Sequence, residues 1–183
     1  MSQPGRVPLA LIVSAAAFGC AASNGSQALD APPAILLPGT APAEWNTYTD
    51  AVHRFAVSYP DGLGILPEKT SPPGGAVARV RFQDTQILSG AFAELEPPRL
   101  TIEVFAAKPG TPLTDWLRSV NRLPAAATTT RVALRGAAEA VRVQERRQLA
   151  PNDFYYVAAG DRVYVLTPLG GYSAEMLASF RLP

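Results

Sequence analysis

From Trp45 onward, apolar and polar residues alternate in short runs, the mark of strands with one buried face. Residues 45–49 and 55–60 read as the first two strands, the second carrying Phe55, Val57 and Tyr59 on one face. A turn over residues 50–53 joins them, and Pro60-Asp61-Gly62 ends the second with turn chemistry. Residues 69–75 read as a loop centred on Pro72-Pro73-Gly74-Gly75. Residues 76–83 predict a third strand, where Val80 and Phe82 oppose Arg79 and Arg81, and residues 100–104 a fourth. The period then changes. Leu113, Trp116, Leu117, Val120 and Leu123 form one helical stripe. Thr111 is its expected N-cap, Pro112 its first residue, and Pro124 its stop. Alternation returns at residues 129–134, 138–148, 154–158 and 162–167, the last two as a hairpin across Ala159-Gly160-Asp161. Ser173 is the expected cap of a final short helix with Met176, Leu177 and Phe180 on one face. Strands at hairpin spacing interrupted by two helices predict an α+β domain, a largely antiparallel sheet flanked by helices.

The first residues follow other rules. One arginine precedes an apolar run from Val7 to Phe18, and small residues follow, the layout of an export signal. The run is too short to remain as a spanning helix, which needs about 20 apolar residues. Ala17-Phe18-Gly19-Cys20 resembles the lipobox of bacterial lipoproteins. That resemblance implies cleavage before Cys20 and lipid modification of its thiol and new amino terminus. Three acyl chains hold a protein stably, where a single chain holds it marginally. The alternative from the same residues is ordinary signal cleavage between Ala17 and Ala22, with Cys20 unmodified. Residues 21–42 are rich in Ala, Ser, Gly and Pro and show no period, so they read as a tether. The expected organisation is a signal at 1–19, a tether at 20–42 and one globular domain at 43–183.

Composition narrows the chemistry. The chain has 183 residues, 48% apolar and 17% charged, too apolar for a wholly disordered protein. Its net charge of +1 gives no general attraction to nucleic acid, which is not expected as a partner. A single Cys excludes an intrachain disulfide, and a single His excludes a multi-histidine metal site. No phosphate-binding Gly-Lys-Ser/Thr element is present, and no cofactor is expected. His53, three residues after Asp50, reads as a turn-stabilising side chain. Ser173 lies in Gly171-Tyr172-Ser173-Ala174-Glu175, where a nucleophile elbow would need Gly in place of Glu175. Glu94 and Glu96 offer two carboxylates to a cation such as Ca²⁺, which wants six to eight oxygens, so no metal site is expected.

Arginines remain. Arg79 and Arg81 share a face of one strand, Arg142 and Arg146 of another, Arg131 and Arg135 of a third. If those faces coincide, they form a basic surface that binds carboxylate or phosphate bidentately. Arg79, Arg81, Arg142 and Arg146 are therefore the candidate anion- or partner-binding residues. The competing reading is a sheet face solvated by cross-strand pairs with Glu103 and Glu145. Trp45, Tyr48, Tyr155, Tyr156 and Tyr164 read as core and edge packing.

Phe55-x-Val57-x-Tyr59-Pro60, the mid-chain helix with Trp116 and the closing Leu177-Ala178-Ser179-Phe180-Arg181 together resemble the PsbP/Mog1-like fold and the related bacterial envelope lipoproteins of the DcrB type. The resemblance covers residues 45–182 and implies an α/β/α sandwich. It also implies a non-enzymatic binding or assembly module, held to a membrane through its N-terminal lipid and facing an envelope protein or anionic envelope polymer. A carrier with an apolar pocket between helix and sheet, and an envelope-polymer hydrolase, are the alternatives.

Overall fold

The computed structural model describes residues 44–68, 75–90, 96–146 and 151–183. The expected signal, Cys20, the tether and Glu94 lie outside the described residues.

Seven strands form one antiparallel sheet: β3 (Leu63–Glu68), β4 (Ala78–Asp84), β5 (Leu100–Ala106), β6 (Thr128–Arg131), β7 (Glu139–Gln144), β8 (Asp153–Ala159) and β9 (Arg162–Pro168). Their spatial order is β3-β4-β5-β9-β8-β7-β6. Two further strands, β1 (Trp45–Asp50) and β2 (Phe55–Pro60), make a separate antiparallel hairpin. The helices are α1 (Thr85–Leu88), α2 (Leu113–Ser119) and α3 (Ser173–Ser179).

Strand alternation gives the sheet two buried faces. Val80, Phe82, Ile102, Val104, Tyr164 and Leu166 face one core, closed by Phe55 and Val57 of β2 and by Met176, Leu177 and Phe180 of α3. Val163, Val165, Tyr156, Val141 and Val143 face the other, closed by Leu113, Trp116 and Leu117 of α2. The architecture is thus an α+β sandwich of three layers: hairpin with α3, sheet, and α2. Aromatic rings knit the first interface. Phe55 stacks on Phe180 with centroids 5.9 Å apart, and Tyr59 meets Phe82 at 5.5 Å.

The sequence pattern matches most elements and misplaces a few ends. β3 was not expected. Gly64 and Pro67 break its alternation, and it survives as an edge strand, where a proline without an N–H is tolerated. The helical stripe was expected to reach Leu123, but α2 ends at Ser119. Asn121 takes a left-handed conformation, φ 56°. The N–H groups of Asn121 and Arg122 bond back to the carbonyls of Arg118 and Leu117, at 3.1 and 2.9 Å. That is a Schellman closure, and it leaves Val120 exposed. Thr111 does not cap this helix. Pro112 holds the cap position, and the Glu139 carboxylate accepts the Leu113 N–H at 3.0 Å. Ser173 likewise lies inside α3 rather than at its cap. Left-handed Tyr172 precedes the helix, and the Ser173 hydroxyl donates to the Gly170 carbonyl at 2.7 Å.

The C-terminal segment is the fastener between layers. Arg181 exchanges two backbone hydrogen bonds with Ala56 of β2, each 2.9 Å, and the Leu182 N–H bonds to the Arg135 carbonyl at 3.1 Å. Gly136 permits this approach. Its φ is 81°, and a Cβ there would lie 2.8 Å from the Leu182 carbonyl oxygen.

Candidate binding site

The sheet register separates the arginines that the sequence grouped. Glu68, Arg79, Glu103, Val165, Tyr156 and Val141 are successive partners across the sheet, and they lie on the α2 face. Arg142 pairs with Tyr155, which pairs with Leu166, on the opposite face. Arg79 and Arg81 therefore cannot join Arg142 in one basic surface, because neighbouring residues of a strand point to opposite sides. Arg146 falls beyond the end of β7, exposed.

Three of the four are also engaged within the domain. Arg79 donates to Glu103 at 2.6 Å and lies 3.3 Å from Glu68. Arg81 Nε sits 3.3 Å from Glu68 without hydrogen-bond geometry. Arg122, turned back by the Schellman closure, reaches Glu103 at 3.4 Å and lies 4.7 Å above the Phe105 ring. Arg142 pairs with Asp153 at 2.8 Å. Glu103 is only 9% exposed, so two guanidinium groups hold one nearly buried carboxylate. Burial raises the Tyr156 phenol above its ordinary value, with the nearby Arg122 opposing. Each arginine of this cluster thus lies within 3.4 Å of a carboxylate.

A second arginine cluster, which strand alternation does not reveal, lies at the end of the hairpin that holds the β1–β2 turn. Asp50 Oδ1 accepts the His53 backbone N–H at 2.8 Å, and Asp50 Oδ2 lies 2.9 Å from His53 Nδ1. The Tyr164 hydroxyl donates to the His53 carbonyl at 2.7 Å, and Arg162 donates to the Val52 carbonyl at 2.8 Å. His53 is a turn-stabilising residue, as its spacing from Asp50 predicted. The pinned turn places Arg54 in a left-handed conformation, φ 58°. Such a conformation costs a non-glycine residue about 1 kcal/mol or more and persists only where its surroundings over-determine it.

Beside Arg54 opens a cleft of about 540 Å³ between the hairpin and the C-terminal segment. Its walls include the apolar Ala51, Phe55, Ala56 and Leu182, with the side chains of Arg54, Arg181 and Asp50 and the last residue, Pro183, beside them. A smaller cleft of about 150 Å³ adjoins it, sharing Arg54 and Leu182 and adding Arg162 and Asp161. Asp161 lies 3.9 Å from Arg54 and 3.8 Å from Arg162, loose contacts in which the carboxylate is 58% exposed. Among the described residues the Arg181 side chain has no hydrogen-bond or ion-pair partner. Arg135, bridged to Arg181 through the backbone, has no side-chain partner there either. Three arginines thus line the two clefts with the side-chain carboxylates of Asp50, already bound to His53, and Asp161, and with Pro183 shared by both. Guanidinium groups not held by carboxylates are available to an external anion, and an apolar wall beside them suits the rest of an amphipathic molecule.

The other sequence candidates hold structural posts. Trp116 is 7% exposed, packed between Phe105 at 5.5 Å and Tyr156 at 6.4 Å, so its place between helix and sheet is core. Tyr155, Tyr156 and Tyr164 are buried, while Trp45 meets Tyr172 edge-on at 6.2 Å, with both rings partly exposed. Glu96 uses its carbonyl to accept from Gln83 at 2.7 Å. Among the described residues no group of three or more metal-ligating side chains gathers, and no helix is long and apolar enough to cross a membrane.

The chain matches no protein-family model and no curated protein sequence. Among solved structures it is similar to the solution structure of cyanobacterial PsbP (CyanoP) from Synechocystis sp. PCC 6803. The identity is 14% and the TM-score 0.43, over 83% of this chain and 100% of that one.

Proposed function

We propose that the protein is an exported, lipid-anchored envelope protein of the DcrB type, acting as a non-enzymatic binding module. The observation that carries the binding role is the cleft at Arg54 and Arg181. It combines an apolar wall with Arg181, which has no side-chain partner among the described residues, and with Arg54, held only loosely by Asp161 on a left-handed backbone. The sequence supports the anchor through the export-signal layout and the lipobox-like Ala17-Phe18-Gly19-Cys20. Topology supports display. The chain enters the domain at Trp45, whereas the cleft lies at the Asp50–Phe55 end of the hairpin, about 20 Å away at strand rise.

The test has two readouts. Intact mass of the membrane-fraction protein from bacterial expression is expected to show a chain beginning at Cys20 with diacylglyceryl and acyl mass added, absent in Cys20→Ser. A photo-crosslinking residue at Val52, beside the cleft, is expected to give adducts in cells that the same residue at Val120 does not. An unmodified soluble chain, unaffected by Cys20→Ser, would overturn the anchor. Identical crosslinks from both positions would overturn the binding role of the cleft.

A further inference from the structure

The geometry points to a ligand class for this cleft: a single-chain amphiphile with a phosphate or carboxylate head, its head on Arg54 and Arg181 and its chain against Phe55, Ala56 and Leu182. The inference deepens the binding-module reading and rests on it.

Four observations converge. The cleft volume of about 540 Å³ suits one small molecule rather than a folded partner. Its two arginines come from separate segments, Arg54 from the β1–β2 turn and Arg181 from the C-terminal segment, and both line one space. Such forks match the planar or tetrahedral oxygens of carboxylate and phosphate. Asp50, the side-chain carboxylate on the same wall, is engaged by two contacts with His53, and no ion pair holds Arg181 among the described residues. Lastly, Arg54 occupies a backbone position that glycine would fill without strain, and Arg is 62% exposed there by side chain. Its contact with Asp161 at 3.9 Å is too loose and too exposed to account for the residue. Recognition of an anion does account for it.

The probe is dodecyl phosphate, titrated below its micelle-forming concentration into the full-length protein and followed by calorimetry. Inorganic phosphate and the neutral dodecyl maltoside are the comparisons. One-to-one binding is expected, at least tenfold tighter than either comparison, because each lacks one half of the recognition. Arg181→Gln is expected to weaken it about tenfold or more. Arg54→Gly is expected to weaken it similarly while holding or raising the melting temperature, which separates lost recognition from lost folding. Arg79→Gln, in the closed cluster, is expected to leave the affinity unchanged in whatever fraction stays folded. Dodecyl maltoside binding as tightly as dodecyl phosphate would overturn the anionic head, and inorganic phosphate doing so would overturn the chain. Vesicles of 70% phosphatidylcholine and 30% phosphatidylglycerol distinguish the sources of such a head. Binding to them with none to the monomer would overturn a cleft ligand in favour of docking on a bilayer. Failure of all probes, with the position-specific crosslinks at Val52 intact, would sink the amphiphile and spare the binding-module reading.

Discussion

Two arginine clusters in this domain look alike in composition and differ in what surrounds them. Arg79, Arg81 and Arg122 sit on the α2 face of the sheet around Glu68 and Glu103. Arg54, Arg162 and Arg181 gather at the end of the hairpin, with Asp161 loosely between the first two and nothing on the third among the described residues. In the first cluster each cation meets a carboxylate supplied by the neighbouring strand or, for Arg122, by the strand beneath the helix end. In the second, the neighbouring elements supply one exposed carboxylate, Asp161, at 3.8–3.9 Å, together with a backbone carbonyl and apolar side chains. The lesson is that an arginine's role is set by its cross-strand and cross-layer neighbours. A closed cluster serves the fold, and an open one is free to serve a ligand.

The sharpest way to test this contrast is to remove a carboxylate from the closed cluster. Glu103→Gln leaves Arg122 without a carboxylate and Arg79 with Glu68 alone. The expected cost is about 2–3 kcal/mol, below the full value for a wholly buried pair because the arginines keep some solvent contact. Urea unfolding should show a lower midpoint at unchanged slope. A loss under about 0.5 kcal/mol would mean that this cluster is no more structural than the other.

The open cluster should respond in the opposite sense. Arg54→Gly removes the left-handed strain, partly offset by the entropy that glycine adds to the unfolded chain. It is expected to stabilise the domain by about 0.5–1 kcal/mol, read as a rise in melting temperature. A fall would show that Arg54 holds the turn together. Arg181→Gln is expected to change stability by less than about 0.5 kcal/mol, because the backbone of Arg181, not its side chain, makes the layer-to-layer bonds.

The smallest effects lie at alkaline pH. Tyr156 beside the closed cluster and Tyr164 beside the open one are both raised above the ordinary phenol value, first by burial, with neighbouring arginines opposing. A phenol raised by folding contributes stability that is complete below its unfolded value near 10 and is lost as pH rises through the folded value. Unfolding followed from pH 9 to 12 should therefore show stability falling above about pH 10, with a shallower fall in Tyr156→Phe. Phenolate absorbance should rise at higher pH in the folded protein than in urea. Coincident titrations would contradict the burial.

Much of the fold was legible in the sequence. Period-two runs placed β2, β4, β5, β8 and β9, and the first turns of the Trp116 stripe placed α2. Where the reading went astray, a tertiary cause is visible. The stripe continued through Val120, but Asn121 turned the chain back and sent Arg122 to Glu103. Thr111 had the chemistry of a cap, but Glu139 from β7 supplied the acceptor. β3 had no alternation to see, and its pairing with β4 made it a strand. Among the candidate site residues, alternation correctly put Arg79 and Arg81 on one face of a strand. It had no means of showing that Arg142 would face the other way or that Glu68 would join the pair, whereas the competing reading of cross-strand pairs had already named Glu103, which meets Arg79 at 2.6 Å.

The sequence by itself determined the local periods and the Asp50–His53 turn, because each depends on residues close along the chain. The three-layer packing and the cleft were decided only by tertiary structure. Arg54 and Arg181 stand near opposite ends of the domain and meet because Ala56 and Arg181 exchange backbone hydrogen bonds and Gly136 lets Leu182 approach. Which strand lies next to which fixes the partner of every arginine, and that order arises from burying both faces of the sheet at once.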